Sequence, residues 1–388
     1  MDKGALITAT ILAAGLGTLL SGLWANVPFA MAPGMGLNAF FAFSLVIGEG
    51  VSWQTALGVV FVSGVVFLLL TILGVRRYII AAIPLELRLA IAAGIGLFIT
   101  FIGCQGLGLI VDNPATLVAL GSFTTPVVLG LVGLLLIVVL EIRKVRGSIL
   151  IGIVFTTVLG LVFKEVGAPE ALVAAPPSIE PVFLKMDILG ALKWGLWGAV
   201  FSFMFVDLFD SVGTIVACSY EAKMVREDGT IDRIDRVLEA DAVATVAGSL
   251  LGTSTTTTYI ESGAGIAEGG RTGLANVVTA LLFLSALVFT PVIGIVPGFA
   301  TAPALIIVGV FMFKNVAKID FSTFEHGVPA FLTIVLMPLT YSISMGLAFG
   351  FIAHIVASVA AGKLKSIHPV MWGIGALSVL DLLLSVVL

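Results

Sequence analysis

Apolar runs close to membrane-spanning length follow one another along the whole chain, and polar residues collect in the gaps between them. A helix needs about 20 mostly apolar residues to cross a bilayer. Runs of that kind lie near 5–24, 28–47, 53–75, 87–110, 125–142 and 147–164. A polar stretch over 165–187, carrying Pro169, Pro176, Pro177 and Pro181, breaks the pattern and is expected to connect two halves. The second half offers runs near 195–218, 237–252, 255–268, 272–296, 302–314, a long broken one over 326–361, and 368–388. The expectation is an all-α polytopic membrane protein with about thirteen crossings. The first run, Ala5 to Trp24, exceeds a signal-peptide apolar region and lacks a small-residue cleavage pattern, so it reads as a retained span.

Two runs are interrupted. In VPFAMAPGMGLNAFF (Val27 to Phe41), Pro28, Pro33, Gly34 and Gly36 forbid a continuous helix. In GTSTTTTYIESGAGIAEGGRTG (Gly252 to Gly273), β-branched Thr255 to Thr258 suit a short strand, and Ser262 and Gly263 begin a second half-helix. Neither can be an ordinary lipid-facing helix, and both read as backbone opened around a ligand. The halves also echo one another. Pro84, Gly96 and Phe98 in IPLELRLAIAAGIGLF are spaced like Pro297, Gly309 and Phe311 in VPGFATAPALIIVGVFMF. Interrupted helices at corresponding places in two repeats mark the substrate site of many transporters.

Composition sharpens this. Hydrophobic residues make up 59% of the 388 and charged ones only 11%, so each buried charge needs a reason. A net charge of -4 points to no nucleic-acid partner. Cys104 and Cys218 lie in apolar runs without metal or redox spacing and read as packing residues. No metal or other cofactor and no catalytic residue is expected. Asp207 and Asp210 share one helix face within FSFMFVDLFDSVGTIVACS, and Glu261 is the third membrane carboxylate. Such groups usually face a cavity, a partner or a proton path, so all three are candidates for proton coupling, structural pairing being the alternative. Asn38 follows Pro33-Gly34 near a half-helix N-terminus; it either offers a ligand both a donor and an acceptor or crosslinks helices. Glu239, Asp241, Glu268 and Arg271 fall near span ends and read as solvated, while His326, His354 and His368 read as isolated interfacial or packing residues.

Basic residues set the orientation. Arg76 with Arg77, Arg143 with Lys144 and Arg146, the 221–236 loop, Arg271, and Lys314 with Lys318 fall on one side, which the positive-inside rule makes cytoplasmic. Lys363 and Lys365 join that side only if the break at Met337-Pro338-Leu339-Thr340 divides 326–361 into two passes.

PGMGLNAFFAF (33–43), FVDLFDSVGT (205–214) and GTSTTTTYIESGAG with GGRTGL (252–274) resemble the AzgA-type purine permeases of the nucleobase/cation symporter-2 superfamily. The resemblance spans nearly the whole chain. It implies two inverted seven-span repeats that form a core domain and a gate domain, often as a homodimer, with the base held between the two strand-plus-half-helix segments. On this likeness residues 1–75 and 188–296 are core helices, 76–164 and 297–388 gate helices, and 165–187 the connector. The resemblance further implies proton-driven import of hypoxanthine, guanine or adenine across the plasma membrane by alternating access. Carried over, Asn38, Asp207, Asp210 and Glu261 bind the base, the three acids couple protonation, and Gly34, Gly36, Thr258 and Ser262 supply half-helix backbone. Relatives of that kind begin with one further span, which is missing before Ala5 here, giving thirteen crossings rather than fourteen. The rival readings are a uracil or xanthine permease of the same superfamily and an anion exchanger or channel of similar inverted-repeat architecture. An intramembrane aspartyl protease is disfavoured, because Asp207 and Asp210 share one helix and the paired motifs of that class are absent.

Overall fold

The computed structural model describes residues 1–74, 82–169, 171–226, 231–259, 261–267 and 269–387. Arg76, Arg77 and Glu268 lie outside the described residues. Among the described residues seven helices are long and apolar enough to cross a membrane, and five apolar helices of 10–17 residues accompany them.

Local signals start and stop these helices. Asp2 caps α1 (Lys3–Leu20) by accepting the Ala5 N–H at 2.7 Å. A wider turn (Ser21–Ala25) extends α1 to Asn26, whose left-handed backbone (φ 51) ends it. An extended stretch leads into β1 (Met31–Pro33), α2 (Met35–Ala39) and its wider continuation Phe40–Gly48. Ser52 caps α3 (Trp53–Ile72), and α4 (Leu85–Leu107) stops at Gly108. A hairpin, β2 (Ile110–Asn113) with β3 (Leu117–Leu120), then precedes α5 (Thr125–Ile142) and α6 (Ser148–Val162).

After the proline-bearing connector come α7 (Ile188–Ala191), α8 (Trp197–Glu221) and α9 (Ile234–Leu251). Next are β4 (Thr256–Thr258), α10 (Ser262–Ala267), α11 (Gly273–Ser285) and α12 (Thr290–Gly294). The chain closes with α13 (Gly298–Phe313), α14 (Phe324–Leu339), α15 (Ile343–Ala360) and α16 (Pro369–Val387).

Helices sort by packing. One group sets α1 against α9 and α11, and α3 against α8 and α9. The other sets α4 against α13 and α14, α5 against α6 and α13, and α15 against α14 and α16. In the second group α4 and α13 run antiparallel and cross at the echoed glycines. A Cβ on Gly96 would stand 2.6 Å from the Gly309 carbonyl oxygen, while Gly103, one end further along, faces Ala302 and Ile306. Absence of side chains at both positions lets the two backbones touch.

Among the described residues the β1–β4 sheet falls in the two strand-plus-half-helix segments, whereas the small antiparallel β2–β3 sheet corrects the otherwise all-α expectation. The run at 255–268 is not a span but β4 and α10. The 326–361 run is a helical hairpin, α14 and α15, turning at Tyr341 with φ 54. Lys363 Nζ reaches Glu325 Oε2 at 2.6 Å, so both ends of that hairpin meet at the end where Lys314 and Lys318 enter it.

Candidate functional site

The two interrupted segments meet. β1 pairs antiparallel with β4 in the register Met31 to Thr258, Ala32 to Thr257 and Pro33 to Thr256. Pairing extends outward through Gly34 N–H to the Thr255 carbonyl at 3.1 Å and Tyr259 N–H to the Ala30 carbonyl at 2.9 Å. Extended backbone inside a bilayer survives only with its polar groups satisfied by protein, and neighbouring helices supply what the short ladder lacks. Thr18 Oγ1 donates to the Met31 carbonyl at 2.8 Å, and Thr245 Oγ1 to the Thr256 carbonyl at 2.9 Å. Asn276 Nδ2 donates to the Phe29 carbonyl at 2.7 Å.

Asp241 does the most of this work. It is 0% exposed, two turns inside α9. Its Oδ1 accepts from Thr258 N–H at 2.8 Å, Thr258 Oγ1 at 3.0 Å and Thr257 Oγ1 at 3.2 Å; its Oδ2 lies 2.6 Å from Ser211 Oγ. The solvated reading of Asp241 is therefore corrected. α9 begins at Ile234, earlier than the apolar run suggests, which carries Asp241 inward. Glu239 and Arg271 stay near the surface, Glu239 accepting from Trp24 Nε1 at 3.1 Å and Arg271 donating to the Ile266 and Gly270 carbonyls.

A cavity of about 100 Å³ opens beside the β1–β4 crossing. Its polar wall carries Asp210 and Thr214 of α8, Thr257 to Tyr259, and Glu261 in the turn before α10. Gly34 and Gly36 at the start of α2 complete that wall; a Cβ on Gly34 would stand 3.1 Å from Thr257 Cγ2 and 3.9 Å from Asp210 Oδ2. The opposite wall is apolar: Ile95 of α4 and Val308, Phe311 and Met312 of α13. Lys314 Nζ sits 5.5 Å from the centroid of the Phe311 ring. A larger surface cavity of about 440 Å³, between Val166–Pro169 and Pro291 with Ile295, has no titratable side chain on its wall.

Not every expected residue lines the cavity. Asp210, Glu261, Gly34, Gly36 and Thr258 do. Asp207, 2% exposed, lies behind the wall, 3.3 Å from both Ser211 Oγ and Thr245 Oγ1. Asn38 lies off the wall as well, its Oδ1 accepting from Ser254 and its Nδ2 reaching the Pro33 carbonyl at 3.5 Å. Ser262 Oγ accepts the Ala30 N–H at 2.9 Å, which ties α10 to the strand crossing. Sequence reasoning missed Tyr259, Thr214 and the α13 residues. Tyr259 stands inside the TTTTYIES run and the others inside quoted segments, so aromatic and hydroxyl residues next to the acids were the available signal.

His354 of α15 lies near enough to His326, Glu325 and Glu86 to feel their charges. Among the described residues no group of His, Cys, Asp and Glu has metal-site geometry.

A membrane-embedded strand crossing flanked by half-helices, faced by a wall of packed helices, defines a multi-pass transport protein. Residues 1–349 match the Permease family (Xan_ur_permease), and the chain belongs to that family. It is 47% identical to a putative permease of Methanocaldococcus jannaschii, over 95% of this chain and 85% of that one. It is 46% identical to the guanine/hypoxanthine permease PbuG of Bacillus subtilis, over 96% of this chain and 86% of that one. To the adenine permease AdeP of Escherichia coli it is 44% identical, over 95% and 83%. Among solved structures, its fold is similar to the transmembrane domain of the cyanobacterial bicarbonate transporter BicA, with a TM-score of 0.61, 17% identity, and 91% and 97% of the two chains covered.

Proposed function

We propose that this chain imports purine nucleobases across the plasma membrane by proton symport with alternating access. The observation that carries the reading is the cavity beside the strand crossing, lined by Asp210 and Glu261 together with the apolar Ile95, Val308, Phe311 and Met312. A purine has polar edges and apolar faces, and this cavity offers acids and backbone on one side and hydrocarbon on the other. The names of PbuG and AdeP support the substrate class.

In the mechanism we propose, the α1, α3, α8–α11 group with its two strands is the core, and the α4–α6 and α13–α16 group is the gate. Asp210 and Glu261 contact the base and carry the proton. Asp207 and Asn38 hold the polar wall from behind, through Ser211, Thr245 and Ser254. A bare carboxylate in a bilayer costs on the order of 3 kcal/mol. The empty, charged core therefore resists movement past the apolar gate, and proton and base together lower that barrier. Lys314, Lys318 and Lys363 share one end of the structure, which supports a cytoplasmic assignment for that end. A homodimer, as the family resemblance implies, is part of the same reading.

Uptake of radiolabelled hypoxanthine, guanine, adenine, uracil and xanthine by cells expressing the chain, with and without a protonophore, tests the proposal. Saturable purine uptake abolished by the protonophore is expected. Uptake of uracil or xanthine alone would move the substrate to the neighbouring class.

A further inference from the structure

Most glycines inside the long helices of this chain are contact points. A Cβ on Gly64 of α3 would stand 2.9 Å from Thr245 Cγ2 of α9, and one on Gly96 of α4 would stand 2.6 Å from the Gly309 carbonyl oxygen. Gly213, well inside α8, makes no such contact. A Cβ built there would meet no atom within 4 Å, and the residue is exposed although its neighbours Ser211, Thr214 and Ile215 are buried. A glycine weakens a helix interior relative to alanine, and no close approach of another backbone asks for one here.

The open space adjoins the cavity. Residues three and four apart share a helix face, so Val206, Asp210 and Gly213 form one line along α8, and the first two are on the cavity wall. The direction of α8 follows from its neighbour. α2 runs from Gly34 beside Asp210 to Phe40, whose ring centroid lies 4.8 Å from that of Phe203, so the two helices are antiparallel. The continuation of α2 ends near the α14–α15 turn, where Ser44 Oγ donates to the Tyr341 carbonyl at 3.0 Å, far from the Lys314 end. α8 therefore runs toward Lys314, and Gly213 lies one turn from Asp210 in that direction. Across the cavity Phe311 is 38% exposed although it lines the wall, and Lys314 Nζ reaches over its ring. Gly213 and Phe311 stand on opposite sides of an opening at that end.

We infer, resting on the transport reading above, that Gly213 sets the width of the route between the cavity and solvent on the Lys314 side, and so determines the size of cargo that passes. The absent side chain leaves room for a planar two-ring base to move past Asp210. A branched side chain there would fill the space in front of Phe311 and favour narrower, single-ring bases. Gly213 has no polar side chain to offer a base, so it acts on passage and not on recognition.

The test combines transport with chemical access in the full chain. Gly213→Ala, Gly213→Val and Gly213→Leu are expected to lower hypoxanthine uptake in order of side-chain size, with uptake lost in Gly213→Leu. Tm in detergent should stay level or rise, because each replacement is a better helix residue than glycine. Access is read separately with Met312→Cys as the sole thiol, Cys104 and Cys218 being replaced by alanine, in vesicles of known orientation. A membrane-impermeant sulfonated maleimide applied from the Lys314 side should react with that thiol, and several-fold more slowly once Gly213→Leu is added. Wild-type uptake by Gly213→Leu, an unchanged labelling rate, or a Met312→Cys thiol that never reacts from that side would overturn the inference. A large fall in Tm would overturn it too, by placing Gly213 in a packed contact. Slower labelling of a protein whose wild type moves no purine would instead refute the substrate reading and leave the aperture standing.

Discussion

Asp241 accepts the backbone N–H of Thr258 at 2.8 Å, so a fully buried carboxylate on α9 fixes the strand residue that precedes Tyr259. The same carboxylate takes the hydroxyls of Thr257, Thr258 and Ser211. Asp241→Ala removes the acceptor for all of them. A buried donor left unmatched costs roughly 1–3 kcal/mol, so the variant should lose on the order of 3 kcal/mol or more. Thermal unfolding in detergent should show a large fall in Tm, and purine binding should be lost with it. An unchanged Tm would show that the strand crossing does not depend on Asp241.

Glu261 stands on the cavity wall with room around it, and Asp210 faces the same space. Glu261→Gln keeps the shape and removes the titratable proton. Purine uptake driven by an imposed pH gradient should vanish, while wild-type uptake should rise as the outer pH falls. Full gradient-driven uptake by the variant would remove Glu261 from proton coupling.

Phe311 is the aromatic residue of the apolar wall, and Lys314 covers part of its ring. Aromatic contact with a nucleobase is sequence-tolerant because every base has a π-face. Phe311→Ala should raise the apparent KM for every transported purine by about 10-fold, with little change in preference among them. A selective loss of one purine would instead mean that Phe311 reads a base edge.

The α4–α13 crossing and the Glu325–Lys363 pair make a contrast in stability. Gly96→Ala would press a methyl into the Gly309 carbonyl, and overpacking of that kind costs about 1–3 kcal/mol. Glu325→Gln breaks an ion pair at the water-facing end of the hairpin and should cost less than about 1 kcal/mol. Thermal-shift measurements on the two variants should separate clearly in that order.

Much of the architecture was legible in the sequence because membrane helices announce themselves by length and apolarity. The two interruptions were legible for a different reason: Pro33-Gly34 breaks a helix, and four successive β-branched threonines followed by Glu261 and glycines favour a strand and a turn over a lipid-facing helix. Their pairing was not legible, since nothing local to Met31 names Thr258 as its partner. Asp241 was misread because hydropathy marks the start of a run rather than the start of α9. The β2–β3 hairpin escaped notice because eleven mixed residues between two spans look like any loop. Asp207 and Asp210 looked equivalent by spacing, and only packing against α9 turns one into the wall's support and leaves the other on its surface.

Hypoxanthine accumulation by the purified chain in proteoliposomes, driven by an imposed inward proton gradient, tests the central claim most directly. Accumulation in the wild type that collapses when the gradient is dissipated, and is missing in Glu261→Gln and Asp210→Asn, is the predicted result. Equal accumulation with and without the gradient, or none of any purine by correctly folded protein, would contradict it.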